Sequence, residues 1–268
     1  MNKITVITVC YNADEKIEST LKSVADQREC VFEYLIIDGK SKDRTLDIVR
    51  RYKKIFLSRG ISYRIISEKD NGIYDAMNKG AINATGKWLN FMNAGDIFYG
   101  PYALKTANDM LEECIDVLYG DTLEVDKNKY RFVKSGTPEC LLKKMSFCHQ
   151  STFIKRGCLI QYPYDLRYKL CADYNFFLSI FLDGAAFKKV DSVISVFTMD
   201  GPSCQSGFEV NEENIEILYE HKLINNKKRL LLQLSNKMKK EVKKHLPLQM
   251  FILKKKLQQK KWDEFNRE

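Results

Sequence analysis

Short runs of β-branched and aromatic residues alternate with helical patterns through the first half of the chain, and this alternation restricts the fold more than any other feature. The runs that predict strands are Ile4–Val9, Tyr34–Asp38, Tyr63–Ser67, Lys87–Met92 and Val117–Tyr119. Apolar residues recur at three- and four-residue spacing, as in amphipathic helices, over Asp14–Asp26, Arg44–Phe56 and Tyr74–Ala84. This order of elements predicts an α/β fold with a mostly parallel sheet flanked by helices.

The edge of such a sheet also predicts where a site lies. Open parallel sheets bind ligands outside the carboxyl ends of their strands. The first candidates are therefore the residues that end or follow the predicted strands, namely Tyr11, Asn12, Asp38, Ser67, Glu68 and Asp96.

The second half of the chain has a looser pattern. It predicts shorter strands at Tyr130–Val133, Ser151–Ile154 and Ser192–Phe197, and one strong helix at Ala172–Leu182. A polar stretch, Met199–Gly207, is followed by further helical patterns. We therefore expect one domain over residues 1–207 and a helical tail over residues 208–268.

The positive charge of the chain is concentrated in this tail. The formal net charge is +9, and residues 222–268 contain 15 Lys+Arg against 4 Asp+Glu, so the body is close to neutral. Basic clusters alternate with apolar clusters up to Trp262, which predicts a basic amphipathic extension on an anionic membrane surface. The alternative is a solvated helix with one face packed on the body. Nucleic acid is a weaker alternative, because the basic stripe lacks stacking aromatic residues.

Cysteine spacing and apolar runs bear on the compartment. The eight cysteines form no C-x-x-C pair, which predicts reduced thiols in a reducing compartment. The apolar run Ile4–Cys10 is too short for a secretion signal, and the longest apolar runs are less than half of a spanning helix. We expect a cytoplasmic protein that is peripheral on the inner face of the cell membrane.

Two strand ends carry a recognisable motif. Val9-Cys10-Tyr11-Asn12 ends the first predicted strand, and Asp38-Gly39 ends the second, followed by Ser41, Asp43 and Thr45. This pattern resembles the family 2 glycosyltransferases, whose GT-A fold is Rossmann-like. The resemblance implies that Asp38 contacts the nucleotide base and that Val9, Tyr11 and Asn12 line the same pocket. A carboxylate can accept a base N–H, and an aromatic ring can stack on the base. Ser41 and Asp43 read more simply as helix caps.

The segment from Glu68 to Gly80 resembles the donor-binding stretch of a subgroup of this family. A glycine in a polar turn before a helix lets backbone approach a ligand, and a helix N-terminus favours an anionic diphosphate. Gly72 and Asp75 are our donor-binding candidates here. The alternative is an ordinary turn with a capped helix behind it.

Asn93-Ala94-Gly95-Asp96 occupies the position of the acidic metal motif of the family. The motif usually supplies two or three aspartates, whereas this chain keeps Asp96 and has Asn93 and Gly95 at the other positions. We expect Asp96 to bind a divalent metal, Mn²⁺ or Mg²⁺, with Asn93 in the same nucleotide-sugar site. One carboxylate with diphosphate oxygens and water can complete such a site. A simple turn is the alternative.

An inverting transfer needs a base, and the candidate is Asp173 in Leu170-Cys171-Ala172-Asp173-Tyr174. This sequence resembles the acid-bearing helix start of the family, and apolar neighbours make a carboxylate more basic. Asp173 as a helix cap is the alternative. Glu139, Asp165 and Asp183 are weaker candidates for the base.

His149 and Gln150 also resemble a feature of the subgroup near the active site. They are expected to contact a phosphate or the acceptor, or His149 the metal. A structural histidine is equally compatible with the sequence.

Together these motifs imply transfer of a sugar from a nucleoside-diphosphate sugar, with UDP expected, to a glycan acceptor that is lipid-linked. In this interpretation residues 1–120 form the nucleotide-sugar half and residues 121–207 the acceptor half. Two alternatives stay open: a catalytically silent sugar-nucleotide-binding module and a sugar-1-phosphate nucleotidyltransferase. The second lacks a glycine-rich phosphate loop at the first strand end.

Overall fold

The computed structural model describes residues 4–127, 129–199 and 206–245. Its first half is a parallel sheet in the order β3-β2-β1-β4. The strands are β1 (Ile4–Cys10), β2 (Phe32–Asp38), β3 (Ser62–Ser67) and β4 (Trp88–Phe91). Every residue of β1 and β2 is buried, because helices cover both faces of the sheet.

The second half extends this sheet with mixed pairing. The strands are β5 (Ile97–Phe98), β6 (Val117–Asp126), β7 (Lys129–Val133), β8 (Thr152–Lys155) and β9 (Phe187–Thr198). Strand β8 joins β4 to β6 and is antiparallel to both, whereas β6 and β9 are parallel. Strand β5 pairs with β9 and β7 with β6, both antiparallel. The α/β fold is confirmed, with the parallel pairing concentrated in the first half.

The helices lie on both faces of this sheet. They are α1 (Ile17–Ala25), α2 (Thr45–Arg51), α3 (Lys53–Ser58), α4 (Ile73–Asn83), α5 (Ala103–Met110), α6 (Arg156–Gln161), α7 (Ala172–Leu182), α8 (Gly207–Glu220) and α9 (Asn226–His245). Short 3-10 helices occupy Pro138–Leu142 and His149–Ser151.

Side-chain alternation along the strands creates two apolar layers. Val6 faces the layer that includes α1, α2, α3 and α5, while its neighbour Ile7 faces the layer that includes α4, α6 and α7. Gly80 allows α4 to lie close to the sheet, since a Cβ there would be 2.7 Å from Cγ2 of Ile7. This close packing fixes the N-terminal end of α4 at the carboxyl edge of the sheet.

The two C-terminal helices pack on the rest of the protein in different ways. Helix α8 buries Ile217 completely in the second apolar layer, so it packs on the body. Helix α9 packs on α8 through polar contacts. The predicted apolar run Leu246–Leu253 and the basic cluster that ends at Trp262 lie outside the described residues. Within the described ranges, no helix combines the length and apolar character needed to cross a membrane.

Candidate active site

The carboxyl end of β1 is tied to the loop after β2. The Asn12 backbone N–H donates to Ser41 Oγ at 2.9 Å, and Asn12 Oδ1 accepts from the Lys42 N–H at 2.9 Å. Asn12 adopts a φ of 46°, a left-handed conformation that asparagine tolerates better than most residues. Tyr11 beside it is 59% exposed and offers a ring face to a ligand.

The side chain of Val9 is buried, so Val9 contacts the neighbouring turn through its backbone carbonyl. Its carbonyl accepts a hydrogen bond from the Ala94 N–H at 3.3 Å. The end of β1 is thereby joined to the turn that contains Asn93 and Asp96.

Asp38 is completely buried and accepts four hydrogen bonds from its own chain. The donors are the Ser41 N–H at 3.1 Å, the Ser41 hydroxyl, the Ser67 hydroxyl at 2.6 Å and the Cys10 thiol at 3.8 Å. Burial, followed by the charge of Asp38, raises the pKa of Cys10, which therefore stays a thiol and a donor. A carboxylate has about four acceptor positions, so Asp38 uses its capacity to hold β1, β2 and β3 together.

Asp70 lies beside the strand-end candidates, although the sequence did not single it out. A Cβ at Gly39 would lie 2.4 Å from Oδ2 of Asp70 and 3.2 Å from Cδ2 of Tyr11, so Asp70 and Tyr11 flank the bare backbone of Gly39. Asp70 is only partly buried, and its Oδ1 accepts from the Gly72 N–H at 3.1 Å. The sequence signal for Asp70 was its position in the Glu68–Gly80 segment, which resembles a donor-binding stretch.

The turn before α4 is held by the side chain of Asp75. Oδ2 of Asp75 accepts from the Asn71 N–H at 2.8 Å and lies 3.5 Å from Nζ of Lys79. Gly72 has a φ of 120°, a conformation that strains other residues, and its N–H is donated to Asp70. Asp75 thus stabilises the shape of the turn.

Asp96 is buried at the end of the turn after β4. Its Oδ2 accepts from Nε2 of Gln150 at 2.7 Å, and its Oδ1 lies 3.4 Å from the Thr198 N–H. The Cys148 thiol donates to Oε1 of Gln150, and burial raises the pKa of that thiol. The thiol therefore stays protonated and fixes the amide so that Nε2 points at Asp96.

His149 joins the turn after β4 to the start of α7. Its Nε2 lies 3.1 Å from Nδ2 of Asn93, and its Nδ1 lies 3.2 Å from Oδ2 of Asp173. Nδ2 of Asn93 can only donate, so Nε2 accepts and the proton of the neutral ring is on Nδ1, where it is donated to Asp173. The predicted base, His149 and Asn93 therefore form one connected chain.

Tyr74, at the start of α4, contacts the other oxygen of the same carboxylate. Its hydroxyl lies 3.0 Å from Oδ1 of Asp173 and 2.9 Å from the Leu170 carbonyl oxygen. Burial, followed by the charge of Asp173, raises the pKa of Tyr74 well above its ordinary value, so the phenol stays protonated. A single phenolic proton serves two acceptors, and Tyr74 was not predicted as a site residue.

One cleft of about 840 Å³ gathers the candidates from the turn after β4, the His149–Ser151 3-10 helix and the start of α7, whereas Tyr11, Asn12, Asp38, Gly72 and Asp75 are not among its lining residues. Tyr74, Asn93, Asp96, His149, Gln150 and Asp173 all contribute to its wall. The exposed side chains of Lys134, Lys144 and Lys169 lie on the same wall. Lys134 and Lys144 form no ion pair with the other described residues, so the cleft offers free positive charge beside its carboxylates.

The weaker candidates for the base lie elsewhere. Asp165 is paired with Arg167 at 2.7 Å, and Asp183 accepts from the Tyr162 hydroxyl. Glu139 is exposed on its 3-10 helix. None of the three is among the cleft residues, whereas Asp173 is.

The side chains of the cleft supply some, but not all, of the oxygen ligands that a hard divalent cation needs. Asp96 supplies carboxylate oxygens, and Oδ1 of Asn93 is buried without a hydrogen-bond partner among the described residues. Both are oxygen ligands of the kind that Mg²⁺ and Mn²⁺ accept. In the described part of the chain, no group of three His, Cys, Asp or Glu side chains could hold a metal, so water and substrate oxygens must complete a site.

A curled α/β sheet with this cleft at its strand ends defines the protein as one with the GT-A glycosyltransferase fold. The crystal structure of Staphylococcus aureus TarS 1-349 in complex with UDP matches with a TM-score of 0.64 at 17% identity, over 92% of this chain and 76% of that chain. The mannosyltransferase PcManGT from Pyrobaculum calidifontis, in complex with GDP-Man and Mn²⁺, matches with a TM-score of 0.63 at 16% identity, over 94% of this chain and 78% of that chain.

Sequence comparison gives the family. The model of glycosyl transferase family 2 matches residues 5–166. A PGL/p-HBAD biosynthesis glycosyltransferase of Mycobacterium bovis (strain BCG / Pasteur 1173P2) is 33% identical over 193 residues, which cover 71% of this chain and 74% of the relative. The putative teichuronic acid biosynthesis glycosyltransferase TuaG of Bacillus subtilis is 31% identical over 136 residues, half of each chain. The chain belongs to glycosyl transferase family 2 and is a glycosyltransferase, which confirms the resemblance found in its motifs.

Proposed function

We propose that this glycosyltransferase moves a sugar, with inversion, from a UDP-sugar to a lipid-linked glycan acceptor. The observation that carries the proposal is the convergence of Asp173, the turn of Asp96 and the start of α4 on one cleft. Complexes of TarS with UDP and UDP-GlcNAc, and of PcManGT with GDP-Man, support a nucleotide-sugar donor for this fold.

The nucleotide is proposed to bind at the ends of β1, β2 and β3. Tyr11 stacks on the nucleotide base. Val9, Asn12 and Asp38 form the floor of the pocket and hold the strand ends together. The partly exposed Asp70 is proposed as the carboxylate that accepts the base N–H, because Asp38 already accepts four hydrogen bonds.

The diphosphate is proposed to lie between the start of α4 and the turn after β4. The N–H groups of the first turn of α4 are proposed to meet the anion at the favourable end of the helix dipole, because the N–H groups of Asn71 and Gly72 are already donated to Asp75 and Asp70. Asp75 keeps that turn in shape. Asp96, with Asn93, would hold the divalent cation, Mn²⁺ or Mg²⁺. When bound, such a cation neutralises the charge that develops on the leaving diphosphate. The Mn²⁺ complexes of PcManGT and GalNAc-T7 support this choice of cofactor.

Asp173 is proposed as the base that takes the proton of the attacking acceptor hydroxyl. His149 and Tyr74 each donate to one oxygen of this carboxylate and so restrict its rotation. Once Asp173 has taken the proton, the Tyr74 hydroxyl can donate to the Leu170 carbonyl oxygen alone. Its oxygen can then accept a hydrogen bond from the protonated carboxyl group of Asp173. Gln150 contributes by fixing Asp96.

The acceptor is proposed to carry phosphate and to be linked to lipid. Lys134, Lys144 and Lys169 place positive charge along the acceptor side of the cleft, which suits a lipid diphosphate. The names of the mycobacterial relative and of TuaG support a role in cell-envelope glycan or polysaccharide biosynthesis. We propose that the enzyme works at the cytoplasmic face of the membrane. The predicted boundary at residue 207 moves to the end of α8, because α8 packs on the body and lines the cleft. Residues 1–220 are then the catalytic domain, and the following residues are an attachment tail on anionic lipid.

The test is release of UDP from UDP-sugars in the presence and absence of Mn²⁺. Slow hydrolysis of one UDP-sugar that requires Mn²⁺, and that accelerates with a lipid-diphosphate-linked sugar, supports the proposal. Tight binding of UDP-sugars without turnover under any condition would instead favour a catalytically silent binding module, a reading motivated by the reduced acidic motif around Asp96.

A further inference from the structure

Helix α9 is packed on the body through its polar side. Asn236 is buried and donates to the Phe208 carbonyl oxygen at 2.9 Å. Nearby, Arg229 forms an ion pair with Glu216 at 2.9 Å, and Nε2 of Gln233 donates to the same carboxylate at 2.6 Å. The face of α9 that meets α8 is therefore held by hydrogen bonds and charge.

The opposite side of α9, which we call the outer face, is apolar. It consists of Leu230, Leu231, Leu234, Met238 and Val242, whose exposed fractions are 52% to 68%. At 3.6 residues per turn these side chains fall within a sector of about 120°, centred roughly opposite Asn236. A helix that only covered the body would point such residues inward. A contiguous exposed apolar surface of this kind marks an interaction site.

Unpaired positive charge borders the outer face. Helix α9 contains eight Lys and Arg residues and one acidic residue, Glu241. Lys227, Lys228, Lys237 and Lys239 make no ion pair with the other residues that the structure describes. Lys237 lies along one border of the outer face, and Lys228 and Lys239 lie along the other, by their helical positions.

We infer that the outer face of α9 is the surface by which the enzyme lies on an anionic membrane, with its five apolar side chains among the lipids. The inference rests on the proposed function, which places the enzyme at a membrane. The lysines at both borders match anionic headgroups. A second copy of α9 offers the same positive charge, and residues 246–268 contain six Lys and Arg against three acidic residues, so neither is complementary.

The position of α8 makes this orientation useful for the reaction. Val210 and Asn214 of α8 line the active-site cleft, whereas Glu216 of the same helix holds α9. One helix layer therefore separates the cleft from the lipid-facing helix, and packed helices have axes about 8–10 Å apart. A sugar on a lipid diphosphate would be close enough to enter the cleft without leaving the membrane.

The test is flotation of the full chain with phosphatidylcholine vesicles that contain 30% or no phosphatidylglycerol. Replacing three outer-face residues, Leu230→Ser, Leu234→Ser and Met238→Ser, should lower the affinity for the anionic vesicles about a hundredfold. The matched control replaces three exposed apolar residues of the body, Ile55→Ser, Leu57→Ser and Ile82→Ser, and should bind like the parent. Lys228→Gln and Lys239→Gln, at one border of the outer face, should each cost about fivefold on anionic vesicles and nothing on neutral ones.

Each other result would overturn the inference. Unchanged vesicle binding by the outer-face variant would exclude the outer face as the docking surface. A parent chain that sediments as a dimer and binds no vesicles, with an outer-face variant that is monomeric, would assign the surface to a second copy. Mn²⁺-dependent hydrolysis of UDP-sugars, measured on the same samples in solution, reports the proposed chemistry separately. A chain that hydrolyses UDP-sugars and ignores vesicles would contradict the membrane attachment and leave the proposed chemistry intact.

Discussion

Replacing Asp38 by asparagine tests whether this carboxylate holds the strand ends or mainly reads the base. The new amide nitrogen must face donors, because Asp38 accepts from Ser41, Ser67 and Cys10. Three of these hydrogen bonds come from N–H or O–H groups. Those to the remaining oxygen change from a charged to a neutral acceptor, and those that face the new amide nitrogen are lost, at about 1 kcal/mol each. The expected loss is about 3 kcal/mol of unfolding free energy, or about 6–12 °C in melting temperature.

The assay pairs thermal unfolding with calorimetry of UDP, and Asp70→Asn is the matched variant. Asp70 is partly exposed and accepts one local hydrogen bond, so its variant should keep the melting temperature within about 2 °C of the parent. Its affinity for UDP should fall about tenfold, because one hydrogen bond between a base N–H and a charged acceptor is lost.

The opposite pattern would refute this reasoning. If Asp38→Asn melts like the parent but loses UDP affinity, while Asp70→Asn binds UDP normally, Asp38 itself contacts the base. The four internal hydrogen bonds of Asp38 would then contribute little to stability.

Three further outcomes follow from the contacts. Asp96→Ala should lower Mn²⁺-dependent turnover more than a hundredfold, about 3 kcal/mol, without unfolding the chain, and near-normal turnover would exclude the metal role. Tyr74→Phe should lower the transfer rate about tenfold at unchanged UDP affinity, because Asp173 loses one hydrogen bond. A parallel loss of UDP affinity would show that the substitution acts on α4 and the diphosphate instead. Despite burial, hydrogen bonds from Thr5, Thr85 and Arg64 lower the pKa of Glu33 below its ordinary 4.5, so the charged form stabilises the fold above that pH. The melting temperatures of the parent and Glu33→Gln should therefore differ most near pH 7 and converge as the pH falls below 4.5; a constant difference would show that the charge of Glu33 is not involved.

Periodicity predicted the regular elements well where burial is one-sided or complete. Helix α7 has the predicted bounds Ala172–Leu182, and β1 extends the predicted Ile4–Val9 by one residue. Helix α5, Ala103–Met110, was missed although its buried residues stand at helical spacing, because the segment is only eight residues long. The predicted helix Arg44–Phe56 is divided at Tyr52 into α2 and α3. Strand β8, Thr152–Lys155, was predicted at Ser151–Ile154, but its antiparallel direction could not be inferred, since strand direction depends on the path of the connecting chain.

The sequence could propose candidate residues for the site but not the contacts between them. The strand-end rule selected Asp38 and Asp96, and the family motif selected Asp173. The hydroxyl of Tyr74 reaches that carboxylate across 99 positions of sequence, and no local spacing reports such a contact. In the same way, the burial of Asp38 under four donors depends on the register of three strands.

The most direct test of the central claim is transfer by Asp173→Asn, with Asp183→Asn at the other end of α7 as the control. The assay is acceptor-dependent release of UDP, with polyprenyl-diphosphate-linked sugars as acceptors and UDP affinity measured alongside. Asp173→Asn should bind UDP and Mn²⁺ like the parent and lose about a hundredfold to ten thousandfold in transfer, the usual contribution of a general base. Asp183→Asn should transfer normally. Transfer by Asp173→Asn within a few fold of the parent would contradict the assignment, because asparagine caps a helix about as well as aspartate but cannot take the proton.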